Sequence, residues 1–448
     1  MRPTLVDLDD LEPPLDREAI LAAYDRVSPY VAPTPLVHSL YLSEMYKSPI
    51  YLKLENLNIA GSFKIRGACH RLLQVSGSDL QKRGVVTTSA GNHGQGVGYM
   101  SQKLGIPATV FMPLRAPLIK ISATRSYGAS VILAGENYDE AQAEAHRWNQ
   151  DHGAEYVHAF DHPDVVLGQG GVGLEILRKL PDVAAVIVPV GGGGLAAGVG
   201  CAVKSHVSGC LVIGVQSHRC CAAVQAYKSL MLTQKTQQKT QQKAQQKTQL
   251  RCSLGSPCQE NQERDVSLHQ TLADGIAVKS PSTLTLSLIK QYVDDMYCVT
   301  EEAIAGAMIE LLERDRLLVE GAGAVSVAAL ASLFDLRKDL RGKPVVCVLS
   351  GGNVDASVLS RVIQRGLRYA HRLTRFSLIL PDTPGALAGC LKAIAESGAN
   401  LYAIDHNRLY TQHGMKDVEV LIELEVVDKA HKERVLHLLE AYKPQSAE

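Results

Sequence analysis

The sequence predicts an α/β protein built on parallel sheets, followed by a small ferredoxin-like domain. Three observations carry that expectation. Apolar strand-like runs alternate with helix-length patterned segments from Ile50 to Leu349, as in successive βαβ units. The charge-free run Val183 to Val203 is long enough for a membrane span, but it holds Pro189 and the four glycines Gly191 to Gly194. A buried strand, a glycine loop and a helix explain it better. From Arg375 the pattern changes to strand, helix, strand, strand, helix.

Composition bounds the function. The 448 residues are 46% apolar and 21% charged, enough to bury large cores in about two to four domains. Lysine plus arginine and aspartate plus glutamate both number 46, so no net field attracts nucleic acid or an anionic membrane. Small-molecule chemistry is the expectation. The ten cysteines lack a paired metal spacing, which favours a reduced chain with neither a zinc site nor a disulfide framework. The acidic, proline-containing start is not a secretory signal, so the cytoplasm is the expected location.

In chain order, Asp16 to Arg26 has helical spacing (Ile20, Leu21, Tyr24), and Pro33-Thr-Pro-Leu-Val37 reads as extended. Ile50–Leu54 is a strand, and Ser62 is an N-cap for a helix that packs Ile65, Ala68 and Leu72. Gly84 to Gly96 reads as strand, loop and helix. Next come helix Val97–Leu104, strand Ala108–Met112, helix Leu118–Tyr127, strand Ser130–Leu133 and helix Tyr138–His152. Gly168 to Leu177 reads as a helix entered through a glycine-rich loop. Strand Val183–Val190 runs into Gly191 to Gly194 and helix Leu195–Lys204, and strand Cys210–Gln216 follows. Between Tyr227 and His269 the near-repeats Thr236-Gln-Gln-Lys239 and Thr240-Gln-Gln-Lys243 cannot bury a core, and a disordered insertion is expected over 228–269. Order resumes at Thr271 to Ala277, with helix Ser282–Tyr292, strand Asp295–Val299, helices Glu301–Arg314 and Ala322–Leu333, and strand Val345–Leu349 ending at Ser350-Gly-Gly-Asn353. The C-terminal unit comprises strand Phe376–Leu380, a turn at Pro381 to Gly385, helix Ala386–Ser397, strands Asn400–Leu409 and Asp417–Val427, and helix Lys429–Tyr442.

Chemistry concentrates where apolar strands end, the place at which parallel sheets gather ligand-binding loops. Lys64 lies in the first helical turn, near the positive end of the helix dipole. That position disfavours its charged form and makes the amine a better nucleophile or base. Gly191 to Gly194 can turn backbone N–H groups inward ahead of a helix, forming a nest for a phosphate. There is no P-loop lysine, which argues against a nucleotide triphosphate. A phosphate-bearing aldehyde would use nest and amine together, and pyridoxal phosphate meets both requirements.

Gly61-Ser-Phe-Lys-Ile-Arg-Gly67, Ser89-Ala-Gly-Asn-His-Gly94, Gly191-Gly-Gly-Gly-Leu195, Thr271-Leu-Ala-Asp-Gly275 and Ser350-Gly-Gly-Asn353 resemble the threonine ammonia-lyases (threonine dehydratases). The resemblance covers roughly residues 15 to 365, and the tail from 374 to 442 resembles an ACT domain. It implies the tryptophan-synthase-β-like, fold-type II architecture of pyridoxal-phosphate enzymes. A larger domain would span 15–50 and 156–365, a smaller one 51–155 would carry Lys64, and 374–448 would form the ACT-like unit. By the same resemblance Lys64 forms the Schiff base with pyridoxal 5′-phosphate, Phe63 flanks the ring and Asn92 bonds the ring hydroxyl. Gly191, Gly192, Gly193 and Gly194 hold the phosphate, and Ser350 faces the pyridine nitrogen. Ser89, Ala90, Gly91, Asn92 and His93 hold the substrate carboxylate. The implied reaction is deaminating β-elimination of L-threonine to 2-oxobutanoate, with L-serine to pyruvate beside it, in a homo-oligomer of two or four subunits.

Serine racemases share these motifs but carry a second serine where this chain has Ala90, whose methyl group cannot move a proton. A catalytically silent amino-acid sensor is the alternative from another class, and the intact Lys64, Asn92 and Ser350 argue against it. A cysteine-synthase-like reading lacks an identifiable second-substrate site. The racemase-type cation site also lacks its acid, which falls at Gln216, leaving only a monovalent ion held by backbone carbonyls. In the ACT-like unit, Asp382, Gly385, Ala386, Leu387 and Asn400 are the expected effector contacts.

Overall fold

The computed structural model describes residues 15–75, 77–241, 271–407, 416–442 and 444–446. The chain divides into two compact units, one ending at Asp355 and the other beginning at Ala356.

The first unit is built on two sheets. The larger runs in the order Leu36–His38, Ile50–Leu54, Val345–Leu349, Ala185–Pro189, Leu211–Ser217, Asp295–Val299. All neighbours are parallel except the three-residue edge strand Leu36–His38. Val345–Leu349 and Ala185–Pro189 are buried at every position, which is why they read as unbroken apolar runs. The smaller sheet is wholly parallel, in the order Ser130–Leu133, Ala108–Met112, Val85–Thr88, Glu155–Tyr156. Ile50–Leu54 therefore pairs in the larger sheet, whereas the expected smaller domain began at residue 51. Its register against Val345–Leu349 holds Lys53 inside, where a pattern-based boundary would not place a lysine.

Three local expectations change. The helix Pro163–Lys179 begins at a His162 cap and contains Gly168, Gly170, Gly171 and Gly173 in its interior, with no glycine loop ahead of it. Close packing is the reason: a Cβ at Gly168 would lie 2.6 Å from the Arg66 carbonyl oxygen, and one at Gly170 2.3 Å from Ile20 Cδ1. Ser62 does not cap the Lys64–Val75 helix; it forms a bridge with Gly351, and its hydroxyl is buried without a hydrogen-bond partner. The first part of the expected insertion, to Gln241, continues the helix Ala222–Gln241, in keeping with the helix propensity of glutamine and lysine. Its remainder, 242–269, lies outside the described residues. Among the described residues no helix is long and apolar enough to cross a membrane.

The second unit is an antiparallel four-stranded sheet in the order Asn400–Asn407, Asp417–Glu425, Leu373–Pro381, Gln445–Ser446. The last strand has only two residues, a shortened version of the fourth strand a ferredoxin-like unit requires. Asp417–Glu425 alternates buried and partly exposed positions, as a sheet covered on one face should. Its inward residues Val418, Val420, Ile422 and Leu424 pack with Phe376, Leu378, Ile394 and Val435. Gly385, with φ of +91°, leads into the helix Ala386–Ser397, Leu387 packs against that core, and Asn400 opens the following strand.

Candidate active site

Strands Val85–Thr88, Ala185–Pro189 and Val345–Leu349 end at Ser89, just before Gly191, and at Ser350, and all three ends line one cavity of about 490 Å³. The two larger-sheet strands are direct parallel neighbours, so their loops emerge side by side. Phe63, Lys64, the run Ser89 to His93 and Gly191 to Gly194 line the same cavity. The residues singled out from sequence in the first unit thus meet in one place.

Lys64 opens the helix Lys64–Val75 and is half-buried. Its Nζ donates to the Ala159 carbonyl oxygen at 3.0 Å and lies 5.2 Å from the Phe63 ring centroid. Burial lowers the amine from its ordinary value to about 8, against the opposing charge of Glu320. A sizeable neutral fraction is therefore present near pH 8.

Two helix N-termini border the cavity without side-chain caps. Asn92–Leu104 starts at Gly91, and Gly194–Lys204 starts at Gly193, whose φ is +95°. Uncapped first turns leave backbone N–H donors for an anion. Side chains are excluded from the second loop, since a Cβ at Gly192 would come within 2.3 Å of the Phe160 ring and one at Gly193 within 2.8 Å of Ile289 Cδ1. An amine and two anion-binding termini suit a ligand pair with an aldehyde, a phosphate and a carboxylate, so the residues fit pyridoxal phosphate and an amino acid.

His93 behaves differently from a cationic donor. Its Nε2 bonds the Val157 carbonyl oxygen at 2.9 Å, so that nitrogen carries the proton, and Nδ1 is buried without a partner. Burial, with the Lys64 charge, pushes it down to about 3, and it stays neutral. Any grip of Ser89 to His93 on a carboxylate falls to backbone and hydroxyl donors. Gln216 is buried, with Oε1 accepting from the Val224 N–H at 3.0 Å.

Sequence reasoning missed Glu320. It precedes the helix Gly321–Ala328, is 5% exposed, and its Oε1 accepts from Asn92 Nδ2 at 2.7 Å. The other end of the Asn92 amide accepts from Asn353 Nδ2 at 2.9 Å, which fixes the amide orientation. Burial raises the Glu320 carboxyl to about 8, helped by Asp274 and opposed by Asn92, Lys120 and Lys64. Lys120 pairs with Asp274 at 2.8 Å, and both line the cavity. The only sequence signal was a single acid beside the small-residue run Gly321 to Ala324; the Thr271-Leu-Ala-Asp-Gly275 motif was noticed without a task for Asp274.

A family model described as pyridoxal-phosphate dependent enzyme matches residues 27–351. An L-threonine ammonia-lyase from Geobacter sulfurreducens is 44% identical over 421 residues, covering 94% of this chain and 96% of that relative. Among solved structures, processed threonine deaminase isoform 2 from Solanum lycopersicum aligns with a TM-score of 0.66 and 32% identity, covering 81% of this chain and 90% of the other. Serine racemase from Dictyostelium discoideum aligns with a TM-score of 0.64 and 29% identity, covering 76% and 99%.

Proposed function

The chain belongs to the pyridoxal-phosphate-dependent enzymes, and on that premise we propose that it deaminates L-threonine by β-elimination to 2-oxobutanoate and ammonia, with L-serine to pyruvate as a secondary reaction. The observation that carries this reading is the Lys64 amine set in one cavity with two uncapped helix N-termini.

Lys64 would hold the cofactor covalently, with Phe63 beside the ring, Asn92 toward the ring hydroxyl, Ser350 toward the pyridine nitrogen and Gly191 to Gly194 around the phosphate. When bound, the cofactor supplies an electron sink that acidifies the Cα–H bond of the amino acid. The chain's residues do the rest. Backbone donors of Ser89 to His93 orient the carboxylate, and burial keeps part of Lys64 neutral so that its amine can take the Cα proton. Ser350 is 2% exposed and neutral, and a hydroxyl cannot keep a pyridine nitrogen protonated as a carboxylate would. That favours expulsion of the β-hydroxyl over reprotonation at Cα. Water then hydrolyses the released enamine.

Ala90 borders the cavity with a methyl group, so racemisation through a second base there is disfavoured. We also propose a cytoplasmic enzyme, supported by eight free cysteines among the described residues, and a homo-oligomer of two or four subunits. An amino-acid effector at Asp382, Gly385, Ala386, Leu387 and Asn400 belongs to the same proposal. A keto-acid assay with L-threonine, run beside Lys64→Ala, tests the central reading. Formation of 2-oxobutanoate that depends on Lys64 is expected; no keto acid from L-threonine, with D-serine formed when L-serine is supplied instead, would overturn it.

A further inference from the structure

Two hydrogen bonds meet on one peptide group beside the Lys64 amine. The peptide joining Ala159 to Phe160 presents its carbonyl oxygen to Lys64 Nζ at 3.0 Å, and its N–H, on Phe160, donates to His158 Nδ1 at 3.3 Å. The next N–H, that of Asp161, donates to the same ring nitrogen at 2.8 Å. A peptide group is planar and trans, with C=O and N–H pointing opposite ways, so holding one end aims the other. We propose that His158 is a positioning residue for the elimination: through this peptide it aims the carbonyl oxygen that holds and orients the free Lys64 amine. The inference rests on the reading of Lys64 as the base given above.

The turn is anchored at both ends. Ahead of it, the Val157 N–H donates to the Val86 carbonyl oxygen at 2.9 Å, and the Val157 carbonyl oxygen accepts from Thr87 Oγ1 at 2.8 Å and His93 Nε2 at 2.9 Å. Beyond it, the Phe160 ring meets the His158 ring edge-on at 4.7 Å and fills the space a Cβ at Gly192 would need. The acceptor for Lys64 therefore sits midway between the smaller sheet and the glycine loop. With two N–H groups donating to Nδ1, the ring is neutral and carries its proton on Nε2. Burial favours that neutral form, as do Lys64, His146 and His162, against Asp161. A free amine that donates one hydrogen to a fixed carbonyl has its lone pair confined to the remaining directions. Once the amine takes a proton, the same oxygen holds the ammonium by a stronger, charge-assisted bond.

The test separates the acceptor from the ring. In the holoenzyme, His158→Leu removes the acceptor, whereas His158→Asn offers a side-chain oxygen to the N–H two residues on. The kcat with L-threonine should fall about 10–10²-fold in the leucine variant, with KM within a few-fold of the parent. The asparagine variant should recover kcat to within a few-fold of the parent. Equal losses in both variants, or none in the leucine variant, would overturn the proposal. If the parent itself gave no keto acid, the β-elimination reading would fail instead, and the titration below would still judge the turn.

Two readouts stand apart from turnover. In the cofactor-free full chain, the pH dependence of Lys64 acetylation, followed by mass spectrometry, reports where the amine titrates. The parent should titrate near 8, and the leucine variant about one pH unit lower, because its ammonium loses the aimed acceptor. An unchanged titration would count against the carbonyl. Nitrogen NMR of histidine-labelled parent should show His158, identified by the signal missing from His158→Asn, as the neutral Nε2–H form at neutral pH. A proton on Nδ1 would refute the proposal, and this measurement holds even where the leucine variant does not fold.

Discussion

The helix Lys64–Val75 carries two cations of opposite fate, Lys64 half-buried and Arg66 buried. Arg66 is 1% exposed and fully partnered: its guanidinium bonds Glu55 at 2.8 and 2.9 Å and Glu175 at 2.6 and 2.9 Å. Lys53 joins the cluster, 2.5 Å from Glu175 and 2.8 Å from the Thr34 carbonyl oxygen. Burial alone would raise Glu55, but Arg66 and Lys53 hold it at about 2, and the two carboxylates drive Arg66 upward against burial. Lys53 is the exception, lowered by burial with Arg66 adding repulsion. Two residues earlier, Lys64 donates to the Ala159 carbonyl oxygen and lies over the Phe63 ring, with no ion-pair partner among the described residues, and burial lowers it to about 8. Burial with partners fixes a charge as structure; burial without them leaves a group able to exchange protons.

The largest effect should come from removing Lys64, the cation without an ion-pair partner among the described residues. Lys64→Ala is expected to cut keto-acid formation about 10²–10⁴-fold or more while leaving the melting temperature close to the parent's. A large loss of stability in that variant would break the contrast. Arg66→Met strands two buried carboxylates and should cost about 3–5 kcal/mol, read from denaturant midpoints. Preserved stability there would show that the cluster is not structural.

The two regions should also respond oppositely to pH. Glu55 is lowered on folding, so its contribution is complete above its unfolded value near 4.5 and is lost as pH falls through about 2. Lys64 is lowered as a cation in the cofactor-free protein, so its burial opposes folding fully below about 8. That penalty lifts between 8 and the unfolded value of 10.5. Melting curves of cofactor-free Lys64→Met against the parent should therefore show a gain at pH 7 that shrinks above pH 8. The smallest effect belongs to a pair at the cavity rim: Lys279 bonds Asp139, yet their side chains are 67% and 59% exposed. Lys279→Met should change stability by less than about 1 kcal/mol, weakening further in salt.

Legibility followed the range of the interactions. Lys64, Gly191 to Gly194 and Ser350 announced themselves because each sits in a short segment where an apolar strand gives way to glycine, and that grammar is local. Gly168 to Gly173 misled by the same grammar. Glycine marks close approach as readily as it marks a loop, and only the neighbours Arg66 and Ile20 show which applies. Ser62 had the right residue type for a cap, but its pairing with Gly351 turned it elsewhere. Glu320 gave almost nothing to read, since its environment comes from Asn92, Gly275 and Gly351.

The sequence by itself determined the alternation of strands and helices, the positions of the loops and the presence of an amine beside an anion nest. These depend on residues a few positions apart, whose periodicity and backbone freedom act wherever the chain goes. Tertiary structure alone decided which charges are paired and which are poised. Arg66 meets Glu175 across 109 positions, and Asn92 meets Glu320 across 228. A side chain's protonation depends on partners and burial within a few ångströms, and the order of residues does not encode those distances.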